Sequence, residues 1–231
     1  MSGKAEGVYQ GVSMQRTMAL IRDSGLPKPI VLDVFRIDSK QTHRYDLPLY
    51  YMGQFIHTNV AYKAFDSAQT RLGSSNGYQH LWKEAEGKGA GSLAFTWLQG
   101  DRYYSMISAA DTSTSVLFTR IGAGDPNFDL RSEPAIMLRR NAASTVFATV
   151  LEPHGFFEPV NEISLNATGR VKEVSVLAST ADATVIEING TGSLHWLFAV
   201  ANGEASNNAI HSVVVGGKTF SWKGNYYLWK N

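Results

Sequence analysis

Short segments of alternating apolar and polar residues, joined by glycine, asparagine or aspartate, constrain this chain more than any other feature. In "VSMQRTMALIR" (12–22) one parity carries Val12, Met14, Met18 and Leu20. Period-two alternation is typical of a strand with one buried face. About a dozen strand-like segments occur, and only "YQHLWKEAEG" suggests a short helix. The sequence therefore predicts an all-β chain.

Two of these segments carry more specific predictions. "SLAFTWLQ" and "RYYSMISA" flank Gly100-Asp101, which is typical of a tight hairpin. In "HRYDLPLYYMGQFIHTN" (43–59), Pro48 has no backbone N–H to donate, so its strand is expected at a sheet edge or at a bulge. His43 and His57 lie at opposite ends of this segment and need not meet.

A dozen antiparallel strands predict a large two-sheet β-sandwich, with a closed barrel as the geometric alternative. We find neither an internal repeat nor linker-like composition, so residues 1–231 are expected to form one domain. The longest irregular stretch, 59–91, is expected to be functional or locally structured. Among the tryptophans, we expect Trp97, Trp196 and Trp222 in the core and Trp82 nearer the surface.

Composition excludes several classes of function. The formal charge of +1 gives no electrostatic basis for nucleic-acid binding. The chain has no cysteine, so neither disulfides nor thiolate zinc sites can form. It has no apolar run long enough to span a bilayer, and "MSGKAEGVYQ" lacks the apolar region of a signal peptide. An export signal, if the protein is exported, is expected outside this chain.

Local motifs for catalysis are weak. The six histidines lack metal-ligand spacing, and there is neither a nucleophile elbow nor a phosphate-binding glycine loop. "LEPHGFFEPVNE" places Glu152, Glu158 and Glu162 close together in sequence, with His154 among them. Such carboxylates could serve a glycosidase, or they could simply belong to a solvated turn.

Several longer segments resemble one known family. They are "GVYQGVSMQRTMALI", "IVLDVFRIDSKQTHRYDLPLYYMGQFIHTN", "GYQHLWKEAEG", "FDLRSEPAIMLRR" and "STVFATVLEPHG". Together they are similar to the C-terminal β-sandwich of heparinase II/III-type polysaccharide lyases, especially the oligoalginate lyases. The resemblance runs from about Val8 to the C-terminus.

This resemblance implies β-elimination of a uronate polysaccharide, in which a base takes the C5 proton and an acid protonates O4. In the family, the catalytic Asn-His and Tyr lie in an N-terminal α/α-toroid, and a zinc site lies just ahead of the part seen here. This chain has neither, so we assign no catalytic residue, metal ligand or cofactor, and we expect the isolated chain to be inactive. The implied partners are an acidic oligosaccharide or polysaccharide and the toroid, with no nucleic acid and no membrane. The implied location is periplasmic or secreted.

Family sandwiches form one wall of the substrate cleft, so polar loop residues are the candidates for sugar contact. The candidates are His57, Tyr78, His80, Arg131, His154 and Glu158. Arg131 suits a uronate carboxylate, or it could brace its loop through Asp129 or Glu133. The alternative functions are a non-catalytic carbohydrate-binding domain and a scaffold that stabilises the toroid.

Overall fold

The computed structural model describes residues 1–65, 69–122, 132–203 and 206–230. One short 3-10 helix, Tyr78–His80, interrupts the strands in these ranges. The strands are β1 Ser2–Tyr9, β2 Val12–Ile21, β3 Ile30–Ser39, β4 His43–Tyr50, β5 Gln54–Thr58, β6 Tyr62–Ala64, β7 Thr70–Arg71, β8 Leu81–Lys88, β9 Gly91–Gln99, β10 Arg102–Ala110, β11 Ser115–Ile121, β12 Pro134–Ala142, β13 Thr145–His154, β14 Phe156–Glu158, β15 Ile163–Leu165, β16 Val171–Ser179, β17 Ala183–Gly190, β18 His195–Ala201, β19 Ile210–Val215, β20 Lys218–Lys223 and β21 Tyr226–Lys230.

Antiparallel pairing assembles these strands into three larger sheets and two hairpins. The central sheet has the order β1-β2-β3-β13-β10-β9-β5. The front sheet has the order β4-β12-β11-β8-β6, with β7 also paired to β8, and the back sheet has the order β16-β17-β18-β21. We call β14-β15 the junction hairpin and β19-β20 the outer hairpin. The predicted all-β antiparallel sandwich is confirmed.

The central sheet is buried on both faces because alternate side chains of its strands enter two different cores. In β13, Phe147 packs with the front sheet, whereas Ala148 and Val150 pack with the back sheet. In β10, Met106 packs with the front sheet and Ile107 packs with the back sheet. The molecule is therefore a layered sandwich in which a further sheet joins the predicted pair.

The second buried face overturns the expected pattern of β2. Met18 and Leu20, expected to be buried, are 39% and 64% exposed. Gln15 and Thr17, on the polar parity, are buried. They face the back sheet, where the Gln15 side-chain amide donates to the Ala201 carbonyl over 2.9 Å. The single-face prediction is wrong for this strand because a sheet covers the side that looks polar.

The other local predictions have mixed outcomes. The hairpin at Gly100 is confirmed, with φ of 62° at the glycine, and Pro48 lies in β4 at the edge of the front sheet. The helix expected around "YQHLWKEAEG" is wrong beyond its first turn, because Leu81, Ala85 and Gly87 are buried in β8. The three tryptophans expected in the core are buried, whereas Trp82 is half-buried.

Candidate functional site

The predicted sugar-contact residues do not converge on one pocket. Tyr78 and His80 belong to the short helix, and the Tyr78 ring packs beside Leu81 against the front sheet. His154 and Glu158 lie where β13 passes into the junction hairpin. His57 is exposed on β5, an edge strand of the central sheet. Arg131 lies outside the described residues.

Tyr78 is held by a charged pair on the front sheet. Its hydroxyl donates to Asp46 over 2.5 Å, and Asp46 also accepts two hydrogen bonds from Arg139 at 2.7 and 2.8 Å. Burial, followed by the hydrogen bond to Asp46 and the charge of that carboxylate, raises the pKa of Tyr78. The phenol therefore stays protonated and braces the loop against the sheet.

His154 is 2% exposed, and both of its ring nitrogens are engaged. The Asn166 carbonyl, 3.0 Å from Nδ1, can only accept, so Nδ1 carries the proton in that bond. In the neutral ring Nε2 then accepts from the Ser105 hydroxyl over 2.8 Å, and Thr96 lies 2.7 Å behind Ser105. These contacts favour a role in fixing the junction over a role in touching sugar, which remains a prediction.

Two further candidates, Glu158 and His80, have simpler surroundings. Glu158 accepts the backbone N–H groups of Asn161 and Val160 at 2.7 and 3.0 Å, and these bonds lower its pKa. It therefore stabilises the turn of the junction hairpin. His80 is exposed, and its carbonyl accepts from the backbone of Gly122 over 2.8 Å. Sugar contact by either residue remains a prediction.

A cavity of about 330 Å³ opens where the chain crosses from the front sheet to the central sheet, and we call it the mouth. Gly53 sits at this crossing with φ of 95°, and a Cβ there would collide with the Leu98 carbonyl. Only glycine lets the two backbones approach so closely. The mouth is lined by Tyr51, Met52, Gly53, Phe55, Arg120, Ser132, Glu133 and Pro134.

Aromatic rings form one wall of the mouth. Tyr51 lies 5.4 Å from Trp97 and 6.1 Å from Phe55 between ring centroids. Tyr104 stacks behind Trp97 at 5.7 Å, and Phe118 meets Phe55 edge-on at 5.8 Å. Rings locked by such neighbours present a rigid apolar surface, which suits the flat face of a pyranose.

Arg120 is a cation in the lining of the mouth, and it forms an ion pair with Glu84. Its Nε donates to Glu84 over 2.7 Å, and its Nη1 donates to the Ser132 carbonyl over 2.9 Å. Nη2 has no hydrogen bond to any residue of the described ranges. The side chain is 34% exposed, so a carboxylate entering the mouth can reach the guanidinium.

A larger cleft, of about 680 Å³, lies at the opposite end between the central and back sheets. Asp38, Asp111 and Glu173 line it around the buried Arg140. In the described part of the chain, that guanidinium donates its hydrogen bonds to neutral oxygens of the protein itself. The cleft has three carboxylates in its lining, whereas the mouth has one, Glu133, beside a partly exposed guanidinium. The mouth is therefore the better candidate site for an acidic sugar.

Tyr51 is expected to make stability depend on alkaline pH. Burial raises its pKa from 10.0 to about 12, with Arg120 opposing and Glu84 reinforcing the shift. The contribution of Tyr51 to the free energy of unfolding is fully present below pH 10, where the phenol is protonated in both the folded and the unfolded chain. This contribution is lost as the pH rises through 12. Urea unfolding of Tyr51→Phe should therefore lose less stability across this window than the wild type. An equal loss in Tyr51→Phe and wild type would contradict the assignment, and exposed Tyr226→Phe is the matched control.

Two negative observations apply to the part of the chain that the structure describes. We find no group of three or more His, Cys, Asp or Glu side chains arranged to hold a metal ion there. In the same residues, no helix is long and apolar enough to cross a membrane.

Fold and mouth together define a layered antiparallel β-sandwich with an aromatic, arginine-bearing cavity at one end. No family model matches the sequence. The chain is 35% identical over 227 residues to an alginate lyase of Stenotrophomonas maltophilia (strain K279a), covering 97% of this chain and 30% of that protein. It is 32% identical over 229 residues to an exo-oligoalginate lyase of Saccharophagus degradans (strain 2-40), covering 96% of this chain and 31% of that protein. The chain thus spans about 30% of the length of these curated relatives.

Sequence reasoning missed Tyr51 and Arg120. Tyr51 follows β4 and Arg120 is the penultimate residue of β11. They are about 70 residues apart, so no local motif contains both. Alternation along β4 could have identified Tyr51, because it falls on the same, inward-facing side of the strand as Leu47 and Leu49. An inward tyrosine at the end of a strand indicates an opening between two sheets, but it does not name its partner.

Proposed function

We propose that this chain is the C-terminal β-sandwich domain of a heparinase II/III-type lyase that cleaves alginate-type uronates by β-elimination. In this proposal the mouth forms one wall of the substrate cleft, beside a catalytic α/α-toroid. The observation that carries the proposal is Arg120, a partly exposed guanidinium set in a rigid aromatic cavity. Similarity to two longer alginate lyases supports the same substrate class.

The geometry suits binding better than proton transfer. Arg120 would pair with a uronate carboxylate, because a guanidinium fork matches its two oxygens. Tyr51 would act as a hydrogen-bond donor, since a phenol is protonated near neutral pH and its raised pKa extends that range to more alkaline pH. Phe55 and Tyr51 would hold the ring by apolar contact. Proton removal at C5 would fall to the toroid, so this chain alone would bind sugar without turnover, at a periplasmic or secreted location.

Replacing Arg120 with alanine tests the binding role. We expect the affinity for an alginate hexasaccharide to fall by about tenfold, the order of one lost charge-assisted hydrogen bond. Affinity would be measured by NMR titration, following the indole N–H of Trp97 beside the mouth. Arg120→Lys should recover part of the loss, because it restores the charge without the fork.

Arg44→Ala is the matched control, since Arg44 lies on β4 outside the mouth with a side chain 52% exposed. Equal loss in Arg120→Ala and Arg44→Ala would show general charge attraction and overturn the mouth as the site. A parallel ultraviolet assay for the unsaturated sugar product should show no turnover by the 231-residue chain. Turnover at enzyme-like rates would refute the division of labour with the toroid.

A further inference from the structure

The C-terminal part of the chain builds a second aromatic surface, which we call the C-terminal corner. It consists of His211, Trp222, Asn225, Tyr227 and Trp229. The outer hairpin brings His211 opposite Trp222, and β21 follows directly after Asn225. The corner therefore lies where the outer hairpin packs on the outer face of the back sheet, beside the edge strand β21.

The rings of the corner form a continuous chain of contacts. His211 stacks on Trp222 at 5.3 Å, and Trp222 meets Trp229 edge-on at 6.0 Å. Tyr227 lies 4.7 Å from Trp229 and is 46% exposed. Buried Trp222 thus anchors the set, and Tyr227 presents its ring to solvent. A half-exposed ring held from behind by other rings is a surface on which a sugar ring can stack.

Buried polar atoms without a protein partner are concentrated at this corner. Nε2 of His211, Nε1 of Trp222 and Oδ1 of Asn225 have no hydrogen-bond partner in the described part of the chain. Most buried polar groups are paired, so three within fifteen residues need an explanation. The set offers an indole N–H donor, an amide acceptor and an imidazole nitrogen, which are groups that pair with sugar hydroxyls.

The local charge adds selectivity. Residues 206–230 contain Lys218, Lys223 and Lys230 but no aspartate or glutamate. Lys230 is engaged by Asp23 at 2.7 Å, whereas Lys218 and Lys223 are exposed on the outer hairpin. The exposed lysines attract a polyanion, whereas Glu187 of β17, on the same face of the back sheet and in register with Leu197 and Trp229, opposes it.

We propose that the C-terminal corner is a second binding site for an acidic polysaccharide, distinct from the mouth. One uronate ring stacks on Tyr227, whose ring is supported by Trp229, and Lys223 attracts the carboxylates. The outer hairpin lies on the face of the back sheet opposite the central sheet, so two layers separate the corner from the mouth. The corner therefore retains a polymer independently of the Arg120 cavity.

NMR titration of the whole chain with an alginate octasaccharide tests this site. The indole N–H signal of Trp222, assigned through Trp222→Phe, should shift during the titration. Tyr227→Ala should weaken the affinity for the octasaccharide, measured through this signal, at least fivefold. Lys223→Gln should weaken that affinity two- to threefold and reduce its dependence on salt. Arg120→Ala should leave the Trp222 response unchanged, which separates failure of this site from failure of the mouth.

Tyr226→Ala is the matched control, because Tyr226 is 64% exposed but its ring stacks with Phe198 on the other side of the back sheet. We expect the affinity of Tyr226→Ala for the octasaccharide to stay within twofold of the wild-type affinity. An unmoved Trp222 signal, equal losses in the two tyrosine variants, or an equal response to a neutral mannan would each overturn the proposal. If Tyr227→Ala fails to fold, Lys223→Gln and the Trp222 signal decide the question.

Discussion

Replacing Glu152 with alanine is expected to lower the free energy of unfolding by about 3 to 5 kcal/mol, since hydrogen bonds to a charged group contribute about 1.5 to 3 kcal/mol each. The carboxylate is 1% exposed and accepts the backbone N–H groups of Arg170 and Val171 at 2.8 and 2.9 Å. Gly169 packs so closely that a Cβ there would lie 2.6 Å from Glu152 Oε2. Glu152 thus fixes the point where the chain enters the back sheet.

Urea unfolding followed by tryptophan fluorescence measures this change as a lower midpoint with an unaltered slope. Glu152→Gln should fall between alanine and wild type, because one of its two side-chain positions still accepts. Exposed Glu173→Ala serves as the control and should change stability by no more than about 0.5 kcal/mol. Equal midpoints for the Glu152 and Glu173 variants would show that the backbone N–H groups find other acceptors.

Sequence predicted the fold where short-range chemistry decides the outcome. Gly100 supplies the positive φ of the β9–β10 turn, and Pro48 lies where no partner needs its N–H. Sequence failed at Gln15 and Thr17, which look solvated but are buried because a distant sheet covers them. Polarity along one strand does not reveal how many layers will pack on it.

The candidate sites show the same limit. Sequence directed attention to His154, which the fold uses to hold the junction through Ser105 and Asn166. The mouth depends on Tyr51 and Arg120, which flank Pro134 of β12 within the front sheet. This arrangement follows from strand register and not from sequence spacing. Among the residues predicted to contact sugar, Tyr78 and His80 lie close together, and so do His154 and Glu158. Neither pair belongs to the mouth.

Arg140 is expected to be the other side chain whose loss costs most stability. Its Nε donates to Thr114 over 2.9 Å, and its terminal nitrogens donate to the Val146 and Ala109 carbonyls at 2.7 and 2.6 Å. A further bond reaches Thr145 at 3.1 Å, and the guanidinium lies 4.6 Å from the centre of the Phe147 ring. Burial lowers its pKa, opposed by the charge of Asp111.

We expect Arg140→Met to lower the free energy of unfolding by about 3 to 5 kcal/mol, because methionine fills the space but leaves buried oxygens unpaired. Arg140→Lys should recover less than half of this loss, since one ammonium cannot reach the acceptors on β10, on β13 and in the Thr114 turn together. Arg44→Met, with a side chain 52% exposed, should stay within about 1 kcal/mol of wild type. If Arg140→Lys had the same free energy of unfolding as the wild type, charge alone would account for the stabilisation. The planar guanidinium would then not be needed to hold this end of the central sheet.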